Sequence, residues 1–452
     1  MFNYLYSAFP ILLPLTCCIA AEWLFVCRLK REKRPVDFFE LGVFYSAVVL
    51  LYAIFPAVEY LTGGLSFSVL GEYRLFRADP SPAQLGPIFW YYAGYLACFV
   101  FAYGRFRGQK VVAQQPVVGL DRRLVWILGG AYACTYIFFA VLKSMWNLNT
   151  PESYGETYLL YDGLPPVLQS MANHMVGVAL LLQLLLMAFL MLDYARYKRW
   201  IYCWLALDVG GIAIFGVGSR TGLMVLLLSF LITYNRFVKK FSMRTLATVG
   251  MVLFVVFMGL GVVRALSSSA DNPAFSLMGS GNEFDNLLAN AYDLHDLKAA
   301  GDTADIFPQF YFADFTRVLP EGVFPSGHID PSRWYVQNFY PAYADQGGGF
   351  AFGVIPECIV GLGWFDVIWR GLLVGWAFGM IHRFYVDGAN TLWRYAFYLW
   401  ATVFSFQTFR VTTFNLVPRA VSMFLIWWFA KTLLGLLQSS AQMPAVSPSA
   451  NS

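Results

Sequence analysis

The stretch GIAIFGVGSRTGLMVLLLSFLITY, residues 211–234, consists of two apolar runs that meet at a single cation, Arg220. A charge at the centre of a bilayer is costly, so this junction is expected at a membrane surface. The whole chain fits a membrane location. Of its 452 residues 58% are hydrophobic and 13% are charged, whereas a soluble domain is about 25% charged. The sequence therefore predicts an all-α polytopic membrane protein.

Apolar runs long enough to cross about 30 Å of hydrocarbon recur along the chain. They predict about 11 transmembrane helices, at 5–27, 37–61, 87–104, 124–142, 168–193, 200–217, 222–235, 246–264, 366–382, 393–410 and 417–436. The first run has no positive n-region and no cleavage site, which favours a retained helix over a signal peptide. The predicted organisation is helices 1–8 at 1–264, a large loop at 265–365, helices 9–11 at 366–437 and a disordered cytoplasmic tail at 438–452.

The basic residues predict the orientation of these helices. If the segment RLKREKR at 28–34 is cytoplasmic, 20 of the 31 Lys and Arg residues fall on the cytoplasmic side, in agreement with the positive-inside rule. The N-terminus is then outside and the C-terminus inside. The external loop at 265–365 holds 12 Asp and Glu against 3 Lys and Arg. The second half of this loop is rich in aromatic residues, Pro and Gly, which favours a cap folded onto the membrane surface. The short apolar segment at 350–363 predicts an interfacial or re-entrant element.

Five arginines nevertheless fall on the external face, where positive charge is scarce. They are Arg220, Arg264, Arg317, Arg410 and Arg419. Each of them can instead snorkel to lipid phosphate or pair with a loop acid, and this alternative stays open. Arginine presents a planar fork of donors suited to bidentate phosphate recognition. Two predicted helices also begin on this face, and a helix N-terminus attracts anions. Together these features predict a site for a lipid diphosphate.

The large loop contains candidates for acid–base chemistry and for binding sugars. His328 titrates near neutral pH as a histidine and can serve as general base or as diphosphate donor, although it can equally be an exposed loop residue. The alternative bases are Asp314, Asp330, Asp345 and Glu357, which the sequence does not rank. The residues predicted to bind glycan are Asp314, Trp334, Tyr335, Asp345 and Glu357. The external loops lack the Asp-x-Asp pair that metal-dependent glycosyltransferases use, so chemistry without a metal or cofactor is expected.

Several short motifs together resemble those of the bacterial O-antigen polymerases, the Wzy family of lipid-linked repeat-unit polysaccharide polymerases, and especially the enterobacterial-common-antigen type. In order along residues 205–430, they are GSRTGLMVLLL, VVRAL, DFTRVLPEGVFPSG, FGVIPECIVGLGW and FRVTTFNLVPRAVSMF. The resemblance implies an inner-membrane enzyme with a GT-C-like fold that is active on the periplasmic side. The outer arginines of that family would correspond to Arg220, Arg264, Arg410 and Arg419.

The resemblance also implies the reaction and the partners. Such an enzyme joins undecaprenyl-diphosphate-linked oligosaccharide units and releases undecaprenyl diphosphate. It acts with a chain-length-regulating co-polymerase, and no nucleic acid is expected as a partner. An O-antigen-ligase-type glycan transferase needs the same arginines and leaving group, so it remains an alternative. A transporter or flippase of lipid-linked sugars would favour internal repeats and charges near the midplane, which the sequence does not show. A non-enzymatic scaffold is the remaining alternative.

Overall fold

The computed structural model of the protein describes residues 2–32, 37–63, 80–108, 122–145, 165–215, 220–242, 244–246, 248–252, 283–302, 330–345, 351–388, 391–418, 420–421, 423–425, 428 and 432. The regular elements within these residues are helices. They are α1 (Phe2–Arg31), α2 (Leu41–Leu61), α3 (Pro82–Phe106), α4 (Arg122–Met145), α5 (Pro166–Tyr197), α6 (Trp200–Phe215), α7 (Arg220–Phe237), α8 (Glu283–Ala300), α9 (Pro331–Phe339), α10 (Pro341–Asp345), α11 (Val354–Val360), α12 (Trp364–Asp387) and α13 (Leu392–Arg410).

By length and composition, six of the described helices can cross a membrane. The segments are Ser7–Arg31, Leu41–Leu61, Pro82–Phe106, Val125–Leu142, Gly177–Tyr197 and Trp364–Asp387. Met224–Phe237 is a shorter apolar helix. The prediction of a helical membrane protein is confirmed at this level. The count of eleven spans stays a prediction, and most of the predicted spans at 246–264 and 417–436 lies outside the described residues.

The centre of the fold is a close pairing of α3 with α12, which run in the same direction. Three glycines recur every fourth residue on the face of α12 that meets α3: Gly371, Gly375 and Gly379. A Cβ added to Gly371 would lie 2.8 Å from the carbonyl oxygen of Tyr95, and one added to Gly379 would lie 3.1 Å from the amide of Arg107. Small residues at such a spacing let two helix backbones approach directly, as is common between membrane helices.

The remaining contacts define two ends of the helix bundle. α1 runs parallel to α3, because Pro10 lies beside Gly86 and Arg28 lies beside Gly104. α2 runs antiparallel to α3 and parallel to α13, since its first residues contact the beginning of α13 and its later residues contact the end. The end at which α1 finishes with its cluster of basic residues is called the basic end. The opposite end, where α2 and α13 finish and α3 and α12 begin, is called the cap end.

A buried arginine ties four segments together at the basic end. The side chain of Arg107, 3% exposed, places Nη2 at 2.7 Å from Glu32 Oε2 and Nη1 at 3.0 Å from Glu40 Oε1. The hydroxyl of Tyr103 donates to the same carboxylate of Glu40 at 2.8 Å. His382 of α12 lies 3.9 Å from Glu40 through Nε2. The ends of α1 and α3, the start of α2 and the later turns of α12 are therefore fixed relative to one another.

Helices α8 to α11 pack at the cap end. α8 lies on α2 through Phe284, whose ring centroid is 4.6 Å from that of Tyr52 and 5.2 Å from that of Phe55. α9 and α10 are attached to α8 because the hydroxyls of Tyr335 and Tyr340 both donate to Asp293. The predicted cap thus has a folded core within the described residues, although the side of the membrane on which it lies stays a prediction.

The segment predicted to be interfacial or re-entrant, residues 350–363, contains the short helix α11. Every side chain of α11 is buried, and the helix packs against α8, α12 and α13. Its entry and exit are made by Gly353 at φ 91° and Gly363 at φ 62°. Side chains with a Cβ rarely adopt these angles, which explains why glycines bracket the helix. The two turns bring Glu357 of α11 back against the first turns of α12.

Candidate functional site

The strongest polar arrangement at the cap end is a buried ion pair between α11 and α12. Nη1 of Arg370 lies 2.6 Å from Oε1 of Glu357, and their side chains are 0% and 2% exposed. A second carboxylate on α12, Asp366, lies 3.8 Å from Nε of Arg370. The guanidinium also lies over the rings of Trp369 and Phe414, at 5.2 Å and 5.7 Å from their centroids. Burial makes this pair sensitive to the loss of either partner.

Thr413 connects the ion pair to the turn that follows α13. Its backbone N–H donates to Oε2 of Glu357 at 2.9 Å, and its hydroxyl donates to the same oxygen at 2.7 Å. The hydroxyl in turn accepts from Nη1 of Arg370 at 2.7 Å. The backbone N–H of Gly353 donates to the carbonyl of Val411 at 2.9 Å, which adds a second attachment. The turn after α13 is therefore held against both α11 and α12.

Two further contacts complete this support. Asp366 accepts from the indole N–H of Trp369 at 2.7 Å and from the backbone N–H of Leu362 at 3.0 Å. Lys298, near the end of α8, donates to the carbonyls of Ile359 and Gly361 at 2.6 Å each. Burial lowers the pKa of Lys298 from its ordinary value, and the nearby Asp366 opposes that shift. The cation thereby satisfies the carbonyls at the end of α11, where positive charge is favourable.

Arg410, a predicted diphosphate ligand, lies beside this network. It is the last residue of α13 and is partly exposed, whereas the preceding Phe409 is buried. Phe409 packs on Tyr52, Tyr92 and Tyr95 at ring separations of 5.5–5.7 Å. Arg410 therefore extends from a firmly packed helix end, with a turn clamped by Glu357 immediately after it.

The second predicted ligand, Arg220, is brought to the same end by its helix. α7 begins at Arg220, and its last turns meet the start of α13. There, the hydroxyl of Tyr395 donates to Thr233 at 3.2 Å, and the ring of Tyr395 packs at a tilt 4.8 Å from that of Phe237. The two helices thus run in opposite directions. Measured from this contact toward the cap end, Arg220 lies about 20 Å away along α7. Arg410 lies about the same distance away along α13. The two arginines are therefore placed at similar depth at the cap end.

The other predicted site residues fall into two groups. Arg264, Arg317, Arg419, His328 and Asp314 lie outside the described residues, so their roles stay predictions. Asp345 is exposed at the end of α10, and Trp334 is partly buried on α9. Asp330, an alternative base, accepts from the backbone N–H of Ser332 at 2.9 Å and acts as the N-cap of α9.

Two predicted glycan ligands have structural partners instead. The ring of Tyr335 is fully buried against Phe339, Tyr340 and Phe352, and its hydroxyl donates to Asp293. A sugar could stack on it only if α9 moved. Glu357 is committed to Arg370 and Thr413, so it positions the cap end rather than facing a substrate in this arrangement.

Sequence reasoning missed a second carboxyl arrangement, between Glu59 on α2 and Asp285 on α8. Asp285 is 6% exposed and forms a side-chain hydrogen bond with Glu59. The sequence did contain a signal for this pair, because Glu59 is an acid near the end of an otherwise apolar helix. Ionisable residues in membrane segments are commonly functional. Arg370 carried the same signal. Within the described residues, no three His, Cys, Asp or Glu side chains cluster in a way that could hold a metal ion.

The chain matches no protein-family model, no curated protein and no solved structure. The chemistry of the cap end therefore rests on the residues described above.

Proposed function

We propose that the protein is a membrane glycosyltransferase that polymerises oligosaccharide repeat units carried on undecaprenyl diphosphate. The observation that carries this proposal is the placement of Arg410 at a clamped helix end, with the start of α7 at Arg220 at similar depth. Two cations at one end of a bundle of membrane helices suit a diphosphate whose lipid tail lies in the bilayer. The resemblance to O-antigen polymerases supplies the identity of the lipid and of the reaction.

The role of the arginines is to stabilise the leaving group. When the acceptor hydroxyl attacks the donor sugar, negative charge develops on the departing diphosphate. Guanidinium groups held in position before the reaction stabilise that charge without reorganising. The N-terminus of α7 adds a partial positive charge at Arg220. A site of this kind needs no metal ion to neutralise the diphosphate, which is why we propose a metal-independent reaction.

The buried network supports the proposal because it fixes Arg410. Immobilising a mobile side chain on binding costs conformational entropy and so weakens affinity. A helix end that is already rigid before binding avoids much of this cost and favours recognition of the diphosphate. Glu357, Arg370 and Thr413 provide that rigidity from below the turn. Helices α8 to α11, which cover the same end, are then the part of the protein that faces the glycan, and the acidic residues of this region offer acceptors for sugar hydroxyls.

The proposed location is the bacterial inner membrane, with the cap end in the periplasm. The basic residues that end α1 lie at the opposite end of the bundle, as expected for a cytoplasmic face under the positive-inside rule. The lipid-linked oligosaccharide is the substrate and partner at the cap end, and a chain-length-regulating co-polymerase is proposed as a protein partner on the strength of the resemblance alone.

Purified protein in lipid nanodiscs tests this function directly. It is incubated with undecaprenyl-diphosphate-linked repeat units in the presence of EDTA, and products are resolved on a gel while released undecaprenyl diphosphate is measured. A ladder of lengthening chains is the expected result. A single transfer to a different lipid acceptor would instead assign the ligase activity, and substrate that is left intact would refute glycosyl transfer.

Arginine variants then locate the diphosphate site. Arg410→Ala is expected to lower kcat on the order of 10²–10³-fold, the usual effect of removing one donor to a developing anion. Arg410→Lys should also be poor if the contact is bidentate. The matched control is Arg383→Ala, which removes an arginine from an exposed position near the basic end, where its side chain is 58% exposed. Equal losses in both variants would remove Arg410 from the site.

A further inference from the structure

The carboxyl pair of Glu59 and Asp285 sits where the cap rests on the membrane helices. Glu59 lies in the last turn of α2, and Asp285 lies in the first turn of α8. Phe284, next to Asp285, is held between Tyr52 and Phe55, so the docking of α8 on α2 brings the two carboxyl groups together. They form a side-chain hydrogen bond, which requires a proton on one of them.

Protonation of the pair follows from its surroundings. The pKa of Asp285 is raised to about 8, mainly because the carboxyl group is buried. The hydrogen bond with Glu59 and the negative charge of Glu59 raise it further. Titratable groups on the other segments packed against α8 are Glu357 and Cys358 on α11, Tyr335 and Tyr340 of the α9–α10 segment, and the tyrosines of α3. Among the described residues only Glu59 acts electrostatically on Asp285. At neutral pH the carboxyl group of Asp285 therefore keeps its proton.

Within the described residues, the buried oxygens of this pair are supported by the pair itself and not by other donors. Oδ1 of Asp285 and Oε2 of Glu59 are buried, and no other described residue donates a hydrogen bond to either oxygen. Asp285 itself is more than nine-tenths buried, whereas Glu59 is partly exposed. Burying two carboxyl groups without donors from the rest of the protein costs stability, so their presence indicates a role other than holding the fold together.

The pair is also close to the proposed diphosphate site. The ring of Tyr52 contacts both Phe284, at 4.6 Å, and Phe409, at 5.5 Å, which directly precede Asp285 and Arg410. Glu59 lies seven residues after Tyr52 on α2, which places it two turns or about 10 Å farther toward the cap end. A lipid-linked donor would present its diphosphate first and its sugar farther from the bilayer, in the same order as Arg410 and Glu59.

We propose that Glu59 is the general base of the glycosyl transfer and that the protonated Asp285 holds it in place. This assignment rests on the proposed function. The oxygen of the acceptor hydroxyl attacks C1 of the donor sugar, and its proton passes to Glu59 as the new C–O bond forms. The bond from C1 to the diphosphate oxygen breaks, and its electron pair leaves with undecaprenyl diphosphate. The proton on Glu59 is then released to water.

Three variants in the nanodisc assay test the assignment. Glu59→Gln keeps the shape but cannot accept the proton, so kcat is expected to fall about 10²–10⁴-fold, while the binding of undecaprenyl diphosphate is unchanged. Asp285→Asn imitates the protonated acid permanently. It is expected to lower kcat less than Glu59→Gln does and to show no fall in activity above pH 8. In the wild type, Asp285 loses its proton above pH 8 and repels Glu59, so the activity falls. Asp387→Asn, which removes an exposed carboxylate at the basic end of the bundle, is the control.

Each outcome decides between the alternatives. Normal kcat in Glu59→Gln overturns the assignment of the base, and so does an Asp285→Asn protein that still loses activity above pH 8. Size-exclusion profiles and retained lipid-diphosphate binding separate loss of chemistry from loss of folding. Wild-type protein that releases no undecaprenyl diphosphate overturns the proposed function and this assignment with it. That failure is distinguishable, because it already appears before any residue is changed.

Discussion

The buried pair of Arg370 and Glu357 gives the sharpest test of how the cap end is held. Arg370→Met removes the cation, keeps much of the apolar stem and leaves Glu357 charged at 2% exposure. Removing one partner of a buried ion pair typically costs about 3–5 kcal/mol. Thr413→Val removes only the bridging hydroxyl and is expected to cost about 1.5–3 kcal/mol, the range for hydrogen bonds to charged groups.

The double variant separates the pair from its surroundings. The double variant Arg370→Met with Glu357→Met removes both charges and leaves no unpaired buried charge. Its loss in free energy of unfolding is therefore expected to be smaller than the sum of the losses in the two single variants. The free energy of unfolding is measured by titration with SDS in mixed micelles, followed by tryptophan fluorescence. Arg383→Met is the control, since its exposed pair with Asp387 is worth less than about 1 kcal/mol.

The refuting result is equally specific. If Arg370→Met costs no more than Arg383→Met, and the double variant shows no coupling, the network does not hold the turn after α13. Arg410 would then not be held in place by Glu357 and Arg370. A large loss of stability together with unchanged transfer activity would show that the network serves the fold and not the site.

Three further predictions use other parts of the molecule. Gly375→Ala should cost about 1–3 kcal/mol of stability through overpacking against α3, whereas Gly130→Ala, which has open space, should cost nothing; equal melting temperatures would contradict the backbone contact. The pKa of Asp285 is raised from 3.8 to about 8 in the folded protein, so the folded protein keeps a proton that the unfolded chain releases. The contribution of this proton to the free energy of unfolding is fully present below about pH 4 and is lost as the pH rises through 8. Thermal unfolding from pH 5 to pH 9 should show this decline in the wild type and none in Asp285→Asn. Alkaline phosphatase should be active when fused after Asp302 and inactive after Arg31, and the reverse pattern would invert the proposed orientation.

Composition and periodicity predicted the helical membrane class because these properties are local. The apolar runs around residues 41–61 and 364–387 became helices of nearly the predicted extent. The sequence also predicts that Arg220 and Arg410 lie at the same end of the bundle, because this relation depends on the number of helices between them. The structure supports that relation through the contact of Tyr395 with Thr233.

Pairings between distant segments could not be predicted in this way. Glu357 was one of several loop acids, and Arg370 was a charge inside a predicted span; only the two glycine turns around α11 bring them together. Tyr335 was predicted to stack on sugar because the segment is rich in aromatics. Composition does not reveal which ring faces inward, and the hydrogen bond to Asp293 on α8 decides that question.

The glycine contact between α3 and α12 limits where the lipid tail of the proposed substrate would enter. These two helices touch through their backbones over three turns, at Gly371, Gly375 and Gly379. Interlocked surfaces of this kind leave no side chains to rotate aside, so parting them would break many contacts at once. In the proposed function, the lipid tail would therefore enter between other helices, while α3 and α12 stay together.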